Sequence, residues 1–226
     1  MNVFEEGKVL LINKPLNWTS FDVVRKVRNA VKIKKVGHAG TLDRLATGLL
    51  IVCTGKFTKR INEYMAKEKE YTGTFTLGAT TPTYDLESEP ENFKPTTDIS
   101  ESAIHAASQH FCGEILQVPP IHSAVKKDGK PVYLLARKGV EVALEPRRVT
   151  IKEFTITNIT MPVVHFKVTC STGTYIRSLA NDFGAYLGCG AYLSSLCRTR
   201  IGEFYIEEAM TMEQVINMIE QEKSRQ

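Results

Sequence analysis

The residues best suited to chemistry lie in one glycine-rich segment, GHAGTLDRLATGLL, which spans residues 37–50. Its glycines permit tight turns and a close approach of the backbone to a ligand. Asp43 is the one acid in this basic stretch, and nearby cations favour the ionised form of a carboxylate. An ionised carboxylate can act as a nucleophile, a base or a metal ligand. The simpler alternative is a turn aspartate that hydrogen-bonds its own backbone.

A few other side chains have the chemistry to act with this carboxylate. His38 is a candidate acid or base, or a wedge in a nucleic-acid duplex, although it also suits a polar loop. The segment STGTYIR, residues 171–177, is predicted to be a turn that enters a helix, where exposed N–H groups suit an anion. Arg177 stands at the start of that helix, where the helix dipole disfavours cations. This position indicates a specific carboxylate or phosphate partner. A surface arginine is the alternative.

Two tyrosines could bind an unpaired base. Tyr71 follows the charged run 67–70, and Tyr175 lies beside the arginine at the helix start. A base taken out of its stack needs an aromatic surface, and tyrosine adds a hydroxyl group to that surface. Each tyrosine could equally be a core residue with a satisfied hydroxyl.

The elements that would position these residues mix strands and helices without regular alternation. Strands are predicted at residues 8–13, 49–53, 70–77, 147–157, 163–170 and 192–204. Helices are predicted from residue 19 or 20 to 31 and at 57–65, 99–111, 132–137, 175–187 and 212–219. Residues 37–48 and 80–95 are predicted loops. In the first long helix, Phe21, Val24, Val27 and Val31 are expected to face the core. This mixture favours the α+β class.

Charge is distributed unevenly along the 226 residues. The net charge is only +4, and the hydrophobic fraction of 42% is typical of a globular protein. However, residues 22–60 contain ten lysines or arginines and two acids, whereas residues 203–222 contain six acids and no base. Such separation predicts one basic surface that suits a polyanion such as a nucleic acid. A charged run can also be merely a solvated helix face.

Composition argues against several classes of protein. The longest uninterrupted apolar run, residues 49–53, has five residues, whereas a membrane-spanning helix needs roughly 20. The acidic N-terminus lacks the features of a secretory signal. Five irregularly spaced cysteines without a C-x-x-C pair indicate reduced thiols and a cytoplasmic protein. The five histidines form no ligand pattern, so we expect no metal.

Together, these segments resemble the TruB family of tRNA pseudouridine synthases, from about Lys8 to Phe204. The resemblance rests on NKP (13–15), residues 37–50, KEY (69–71), LG (77–78), the T-x-T-x-D loop (81–85), PPIHSAVK (119–126), Gly129, Tyr133, Ala136-Arg137, GTYIR (173–177), LGCGA (187–191), Leu196 and Arg198-Thr199. Any one of these motifs would be weak evidence. Their occurrence in one order along the chain is specific.

The resemblance implies an α+β pseudouridine synthase fold, with a mixed, mostly antiparallel sheet in two halves flanked by helices around a central cleft. It implies isomerisation of uridine 55 in the T loop of tRNA, through a flipped-out base. The product is an isomer of the substrate, so no cofactor is expected. We expect one catalytic domain over residues 1–226, built of two interleaved α+β subdomains without a separate C-terminal PUA-like domain. We also expect recognition of the tRNA T arm by a monomer.

The resemblance also assigns roles to residues. Asp43 is the catalytic aspartate, Arg177 pairs with it, and Tyr71 stacks on the target base and helps to move the C5 proton. The implied substrate-binding residues are His38, which fills the loop as nucleotides flip out, Tyr175 and Leu196, which line the uracil pocket, and Lys14. Candidate contacts to the RNA backbone are Arg25, Arg28, Arg44, Lys56 and Lys126.

Three positions depart from the family pattern. Arg44 replaces the proline that usually follows the catalytic aspartate, and Pro82 and Ser88 stand where the family often has Asp and Gly. Two other functions stay open. One is a tRNA-binding folding helper whose catalysis Arg44 has disabled. The other is a hydrolase or phosphoryl-transfer enzyme that uses Asp43 with a divalent metal.

Overall fold

A computed structural model of the chain describes residues 3–121, 126–127, 130–131 and 144–225. The chain divides into two compact units. Unit 1 comprises Met1–Tyr71 and Leu196–Gln226, and unit 2 comprises Thr72–Ser195. Unit 2 is one continuous segment that separates the two segments of unit 1. The number of functional domains stays a prediction.

The described residues contain α-helices and strands in irregular order. The helices are α1 (Val3–Glu6), α2 (Ser20–Val31), α3 (Ile61–Ala66), α4 (Glu101–His110), α5 (Ile176–Tyr186) and α6 (Met212–Ser224). The strands are β1 (Val9–Lys14), β2 (Val36–Ala39), β3 (Ala46–Thr54), β4 (Lys69–Leu77), β5 (Gly113–Gln117), β6 (Lys126–Lys127), β7 (Lys130–Pro131), β8 (Arg147–Thr160), β9 (Val163–Cys170), β10 (Ala191–Ile201) and β11 (Phe204–Tyr205). Short 3-10 helices cover Gly55–Arg60 and Ile206–Glu208. The α+β prediction is confirmed.

Strand β3 is the centre of unit 1. It pairs antiparallel with β1 and β2 and parallel with β10, so the sheet is mixed. Successive side chains of a strand point to opposite faces. Leu50 and Val52 accordingly pack with α2 and α6, whereas Leu49 and Ile51 pack in a second core with Tyr64 of α3. Burial on both faces explains the uninterrupted apolar run in this part of the sequence.

Helix α2 begins where the sequence predicted, but one of its core residues was assigned wrongly. Thr19 is the N-cap, and its hydroxyl accepts a hydrogen bond from the Asp22 N–H at 3.0 Å. The buried face contains Val23 instead of Phe21, which is 59% exposed. At 3.6 residues per turn, residue 21 lies roughly 100° around the axis from buried Ser20.

Unit 2 is built on a sheet with an aromatic core. Its strands lie in the order β4, β9, β8 and β5, and β8 pairs antiparallel with both β9 and β5. Phe75, Phe154, Phe166 and Phe183 form one aromatic cluster, in which the rings of Phe75 and Phe166 lie 4.3 Å apart. The predicted pairing of residues 147–157 with 163–170 is confirmed, and β8 extends to residue 160.

Two element boundaries were predicted wrongly, and a third prediction is not tested. The predicted loop 37–48 is shorter, because β2 continues to Ala39 and β3 begins at Ala46. The predicted strand 192–204 is a hairpin, since Gly202, with φ of 55°, turns the chain from β10 into β11. The helix predicted at 132–137 lies outside the described residues.

Candidate active site

The loop at residues 40–45, between β2 and β3, carries Asp43. The Ser20 hydroxyl accepts a hydrogen bond from the Leu42 N–H at 2.9 Å and donates one to the Leu42 carbonyl at 3.2 Å. On the other side, the Ala46 N–H donates to the Asp43 carbonyl at 3.1 Å. These bonds fix the backbone on both sides of the half-buried Asp43 side chain.

Lys14 lies inside unit 1 and not on its surface. Its ammonium group is fully buried and donates to the carbonyls of Trp18 at 2.6 Å, Pro15 at 3.1 Å and Arg44 at 3.5 Å. Burial lowers the pKa of Lys14 to about 8, and the negative charge of Asp43 opposes this decrease. The expected contact of Lys14 with substrate is untested; its donors bind main-chain carbonyls around the loop.

Arg44 occupies the position where the family usually has proline. Its main-chain carbonyl accepts from the Asn17 N–H at 3.0 Å, and its side-chain Nε donates back to the Asn17 carbonyl at 3.4 Å. The side chain is exposed. Proline would restrict the backbone through its ring. Here, hydrogen bonds from neighbouring residues restrain the backbone at the same point.

Arg198 of β10 is a buried arginine to which the sequence assigned no role. Its side chain is 1% exposed and donates to the carbonyls of Leu49 at 2.8 Å, Gly40 at 3.1 Å and Thr41 at 3.4 Å. Arg198 thereby joins the first two residues of the Asp43 loop to β3. Gly48, with φ of 104°, is required beside it, since a Cβ there would lie 2.4 Å from the Arg198 carbonyl oxygen.

His38 lies on β2, directly opposite Val52 of β3. Burial lowers the pKa of the His38 imidazole; a hydrogen bond with the backbone of Gly40 opposes this effect, and the charge of Arg198 adds to it. Among the described residues, His38 Nδ1 has no hydrogen-bond partner. The imidazole is therefore predominantly neutral at neutral pH, which favours an uncharged wedge over a cationic contact.

Two further site candidates belong to unit 1. Leu196 of β10 is half-buried and pairs with Ala46, immediately after the Asp43 loop. The Thr47 hydroxyl donates to the Leu196 carbonyl at 3.4 Å. Tyr71 is 8% exposed and lies on β4, where alternation predicted its strand. Strand pairing thus places Leu196 beside the first residue of β3, directly after the Asp43 loop.

Tyr175 and Arg177 belong to unit 2, at the start of α5. Tyr175 is the N-cap residue, and the buried Gln117 amide binds its backbone at both ends. The Tyr175 N–H donates to Gln117 Oε1 at 2.8 Å, and Gln117 Nε2 donates to the Tyr175 carbonyl at 3.1 Å. The sequence did not indicate this contact, because a single glutamine in a strand carries no pattern.

Arg177 is 4% exposed, which rules out the alternative of a surface arginine. Its Nε lies 3.7 Å from Asp85 Oδ2, and its Nη1 donates to the Thr83 carbonyl at 3.3 Å. A cation in the first turn of a helix is disfavoured by the helix dipole. The buried Asp85 carboxylate offsets that effect. Asp85 appeared in the sequence only as part of a motif.

The loop around Asp85 is held by side-chain hydroxyl groups. The Thr81 hydroxyl donates to the Asp85 carbonyl at 2.8 Å, and the Glu87 N–H donates to Asp85 Oδ1 at 3.0 Å. Ser88, at a position where the family often has glycine, accepts from the Thr83 N–H at 3.1 Å and lies 2.7 Å from its hydroxyl. Ser88 therefore adds restraints that glycine could not provide.

The predicted RNA-backbone cations differ in availability. Arg25 pairs with Asp22 at 2.7 Å but stays 62% exposed, and Lys56 pairs with Glu6 at 2.7 Å and stays 70% exposed. Arg28 is half-buried and donates to the Val36 carbonyl at 3.1 Å, so it is partly committed to the fold. Lys126 lies in β6, opposite Pro131 of β7.

Within the described ranges, no helix is long and apolar enough to cross a membrane. The same part of the chain contains no group of three or more His, Cys, Asp or Glu side chains that could hold a metal ion. The five cysteines are free thiols; Cys53, Cys170 and Cys189 are buried, whereas Cys112 and Cys197 are half-buried.

Comparison with solved structures defines the class of the protein. The chain superposes on a chain of a Cbf5-Nop10-Gar1 complex with a TM-score of 0.75 and 30% identity, covering 95% of this chain and 54% of the other. It also superposes on a chain of an H/ACA ribonucleoprotein bound to a substrate RNA containing 2′-deoxyuridine, with a TM-score of 0.74 and 26% identity, covering 99% and 56%. The chain thus spans about half of each solved chain. Its fold is that of the pseudouridine synthases.

Sequence comparison then defines the family. Residues 28–176 match the N-terminal domain of the TruB family pseudouridylate synthases, and residues 177–226 match the tRNA pseudouridylate synthase B C-terminal domain. The tRNA pseudouridine synthase B of Flavobacterium johnsoniae is 53% identical over 91% of this chain and 93% of its own. That of Phocaeicola vulgatus is 47% identical over 97% and 96%. The chain belongs to the TruB family.

Proposed function

We propose that this protein isomerises uridine 55 in the T loop of tRNA to pseudouridine, with Asp43 as the nucleophile. The observation that carries the proposal is the setting of Asp43. It lies on a loop that Ser20, Lys14 and Arg198 fix through its backbone, in a chain 53% identical to a tRNA pseudouridine synthase B. A carboxylate on a fixed loop is suited to attack with little reorganisation.

The reaction needs no second substrate. The N1–C1′ bond of uridine breaks and a C5–C1′ bond forms, while C5 loses a proton and N1 gains one. The proposed role of Asp43 is a transient bond to the sugar or base, which lets the detached uracil turn before it reattaches. The atoms of substrate and product balance without a cofactor or metal.

The remaining site residues receive roles from their chemistry. Arg177, anchored by Asp85, is proposed to orient and stabilise the Asp43 carboxylate. Tyr71 is proposed to stack on the target base and help to move the C5 proton, and Tyr175 and Leu196 to line the uracil pocket. Extraction of a base from a loop loses less pairing than extraction from a duplex.

His38 is proposed to fill the space that the flipped nucleotides leave. Its lowered pKa supports this role, because a neutral imidazole enters a stack of bases with a smaller desolvation cost than a cation. The similarity of this chain to a chain of a ribonucleoprotein bound to a substrate RNA containing 2′-deoxyuridine supports RNA as the class of substrate.

The proposed partner is the T arm of tRNA, bound by a cytoplasmic monomer. Exposed Arg25, Arg44 and Lys56 are the proposed backbone contacts in unit 1. We propose a single catalytic domain formed by both units. The boundary between the two family matches, after residue 176, supports this, because it falls inside α5 and not between separate structural units.

The decisive experiment measures tritium release from C5-labelled uridine in an unmodified tRNA transcript, with EDTA present. We expect about one equivalent of tritium per tRNA and none with Asp43→Asn, which should still bind the RNA. Substantial release by Asp43→Asn would contradict the nucleophile assignment. Binding without release by the unaltered protein would support a folding helper, and activity abolished by EDTA would support a metal-dependent enzyme.

A further inference from the structure

We infer that Arg198 and Lys14 act as a pair of buried positive charges that position the loop at residues 40–45 and stabilise the negative charge of Asp43. This inference rests on the proposed function, and it concerns two positioning residues that do not themselves contact substrate. The two side chains come from β10 and β1 and reach the same loop.

Among the described residues, both cations donate to main-chain carbonyls. Arg198 donates to three carbonyls, those of Gly40, Thr41 and Leu49. Lys14 donates to three others, those of Pro15, Trp18 and Arg44. The ion pairs formed within the described residues include neither side chain. Each charge therefore lies in the interior without a directly bonded carboxylate from the described ranges of the chain.

Such an arrangement opposes folding. A buried charge without a bonded counter-ion is destabilising by several kcal/mol, and carbonyl dipoles offset only part of this. Neutral donors, such as an amide side chain, would satisfy some of the same carbonyls at a smaller desolvation cost. Folding alone therefore does not account for the choice of two charged side chains at these positions.

The charge of Asp43 supplies the missing explanation. Asp43 acts electrostatically on Lys14, and Arg198 acts on Lys14 and on His38. Lys14 thus lies within electrostatic range of Asp43, and Arg198 reaches the Asp43 loop through the carbonyls of Gly40 and Thr41. A fixed positive potential beneath the loop is in place before the reaction and costs no reorganisation during it. Since the side chains are buried, added salt should screen this potential weakly.

The first test separates charge from hydrogen bonding at Arg198. Arg198→Lys keeps the charge, and Arg198→Gln keeps donors without the charge. We expect the single-turnover rate at saturating enzyme to fall less than about 10-fold for lysine and at least about 100-fold for glutamine. The dissociation constant for tRNA should change less than about twofold in both. Arg148→Gln, which removes a 76% exposed arginine paired with Glu114, is the matched control without effect.

Several outcomes would overturn the inference. Equal rates for the two Arg198 variants would show that charge is irrelevant, and a loss confined to tRNA affinity would reassign the residue to binding. A rate defect that added salt alters strongly would also contradict a buried charge. These results are distinguishable from failure of the proposed function, because the unaltered protein would still release tritium and Asp43→Asn would not.

A pH profile keeps the inference testable if Arg198→Gln does not fold. The pKa of Lys14 is about 8, so its charge is present below that pH and lost above it. The charged groups that act on Lys14 are Asp43 from the loop, Arg198 from β10 and Asp22 from α2. The single-turnover rate of the unaltered protein should therefore fall between about pH 7 and 9 at constant tRNA affinity. In Lys14→Arg the fall should move to higher pH. A flat profile, or an unmoved fall, would overturn the inference.

Discussion

Replacement of Asp85 by asparagine tests whether the buried carboxylate holds Arg177 in place. Asp85 and Arg177 have side chains that are only 5% and 4% exposed, and their charged atoms lie 3.7 Å apart. Asparagine retains the shape and the oxygen that accepts from the Glu87 N–H at 3.0 Å. The substitution therefore removes the charge and replaces the acceptor that faces Arg177 with a donor.

The expected free-energy cost of Asp85→Asn follows from the contacts that Arg177 keeps. Loss of one partner of a buried ion pair is destabilising by about 3–5 kcal/mol. The 3.7 Å contact is long, and Arg177 keeps its bond to the Thr83 carbonyl, so we expect about 2–3 kcal/mol. If that energy orients Arg177 in the transition state, the rate should fall roughly 30- to 150-fold, at 1.36 kcal/mol for each factor of ten.

Single-turnover tritium release measures this effect directly, and thermal unfolding shows whether the variant is folded. Asp98→Asn is the matched control, because it makes the same chemical change on an exposed residue of unit 2. The rate of the control variant should lie within about twofold of that of the unaltered protein. An Asp85→Asn protein that is folded and reacts as fast as the control would refute the view that Asp85 holds Arg177.

Three other substitutions test the surrounding architecture. Gly48→Ala should destabilise unit 1 by more than about 2 kcal/mol, because its Cβ would lie 2.4 Å from the Arg198 carbonyl oxygen; an unchanged denaturation midpoint would contradict this. Gln117→Leu removes the partner of the Tyr175 N–H and carbonyl, so the free energy of unfolding should fall by about 2 kcal/mol or more in thermal unfolding. A fall below about 0.5 kcal/mol would refute the view that the Gln117 amide holds the Tyr175 backbone. Arg25→Gln should weaken tRNA binding and reduce the slope of the logarithm of the binding constant against the logarithm of salt concentration by about one. An unchanged slope would show that Arg25 does not contact the RNA backbone.

Local pattern predicted the elements well but left their partners undetermined. The apolar run of β3 indicated a buried strand, yet its parallel pairing with β10 joins Ala46 to Leu196 and has no local signal. The buried face of α2 includes Ser20, whose hydroxyl binds the Leu42 backbone; the apolar spacing did not reveal this contact, and so Phe21 was misplaced. Turn geometry at Gly202 likewise divided one predicted strand into two.

In the candidate site, too, local pattern indicated single residues but not their partners. Asp43 and Arg177 were predicted from motifs, because their residue types are unusual where they stand: an acid in a basic loop and a cation at a helix start. The contacts that hold them were not predicted. The Arg177 contact with Asp85, the Gln117 contact with Tyr175 and the Arg198 contact with Gly40 each join distant parts of the sequence. No short-range periodicity encodes such pairs.

These supporting contacts share one device, in which a buried polar side chain binds the main chain next to a site residue. Ser20 binds the backbone of Leu42, Gln117 that of Tyr175, and Arg198 that of Gly40 and Thr41. A main chain fixed in this way stays in place when a neighbouring side chain changes. Arg44 can therefore stand in the usual place of proline, since Asn17 and Lys14 hold its carbonyl. The structure thus argues that loss of that proline need not loosen the loop.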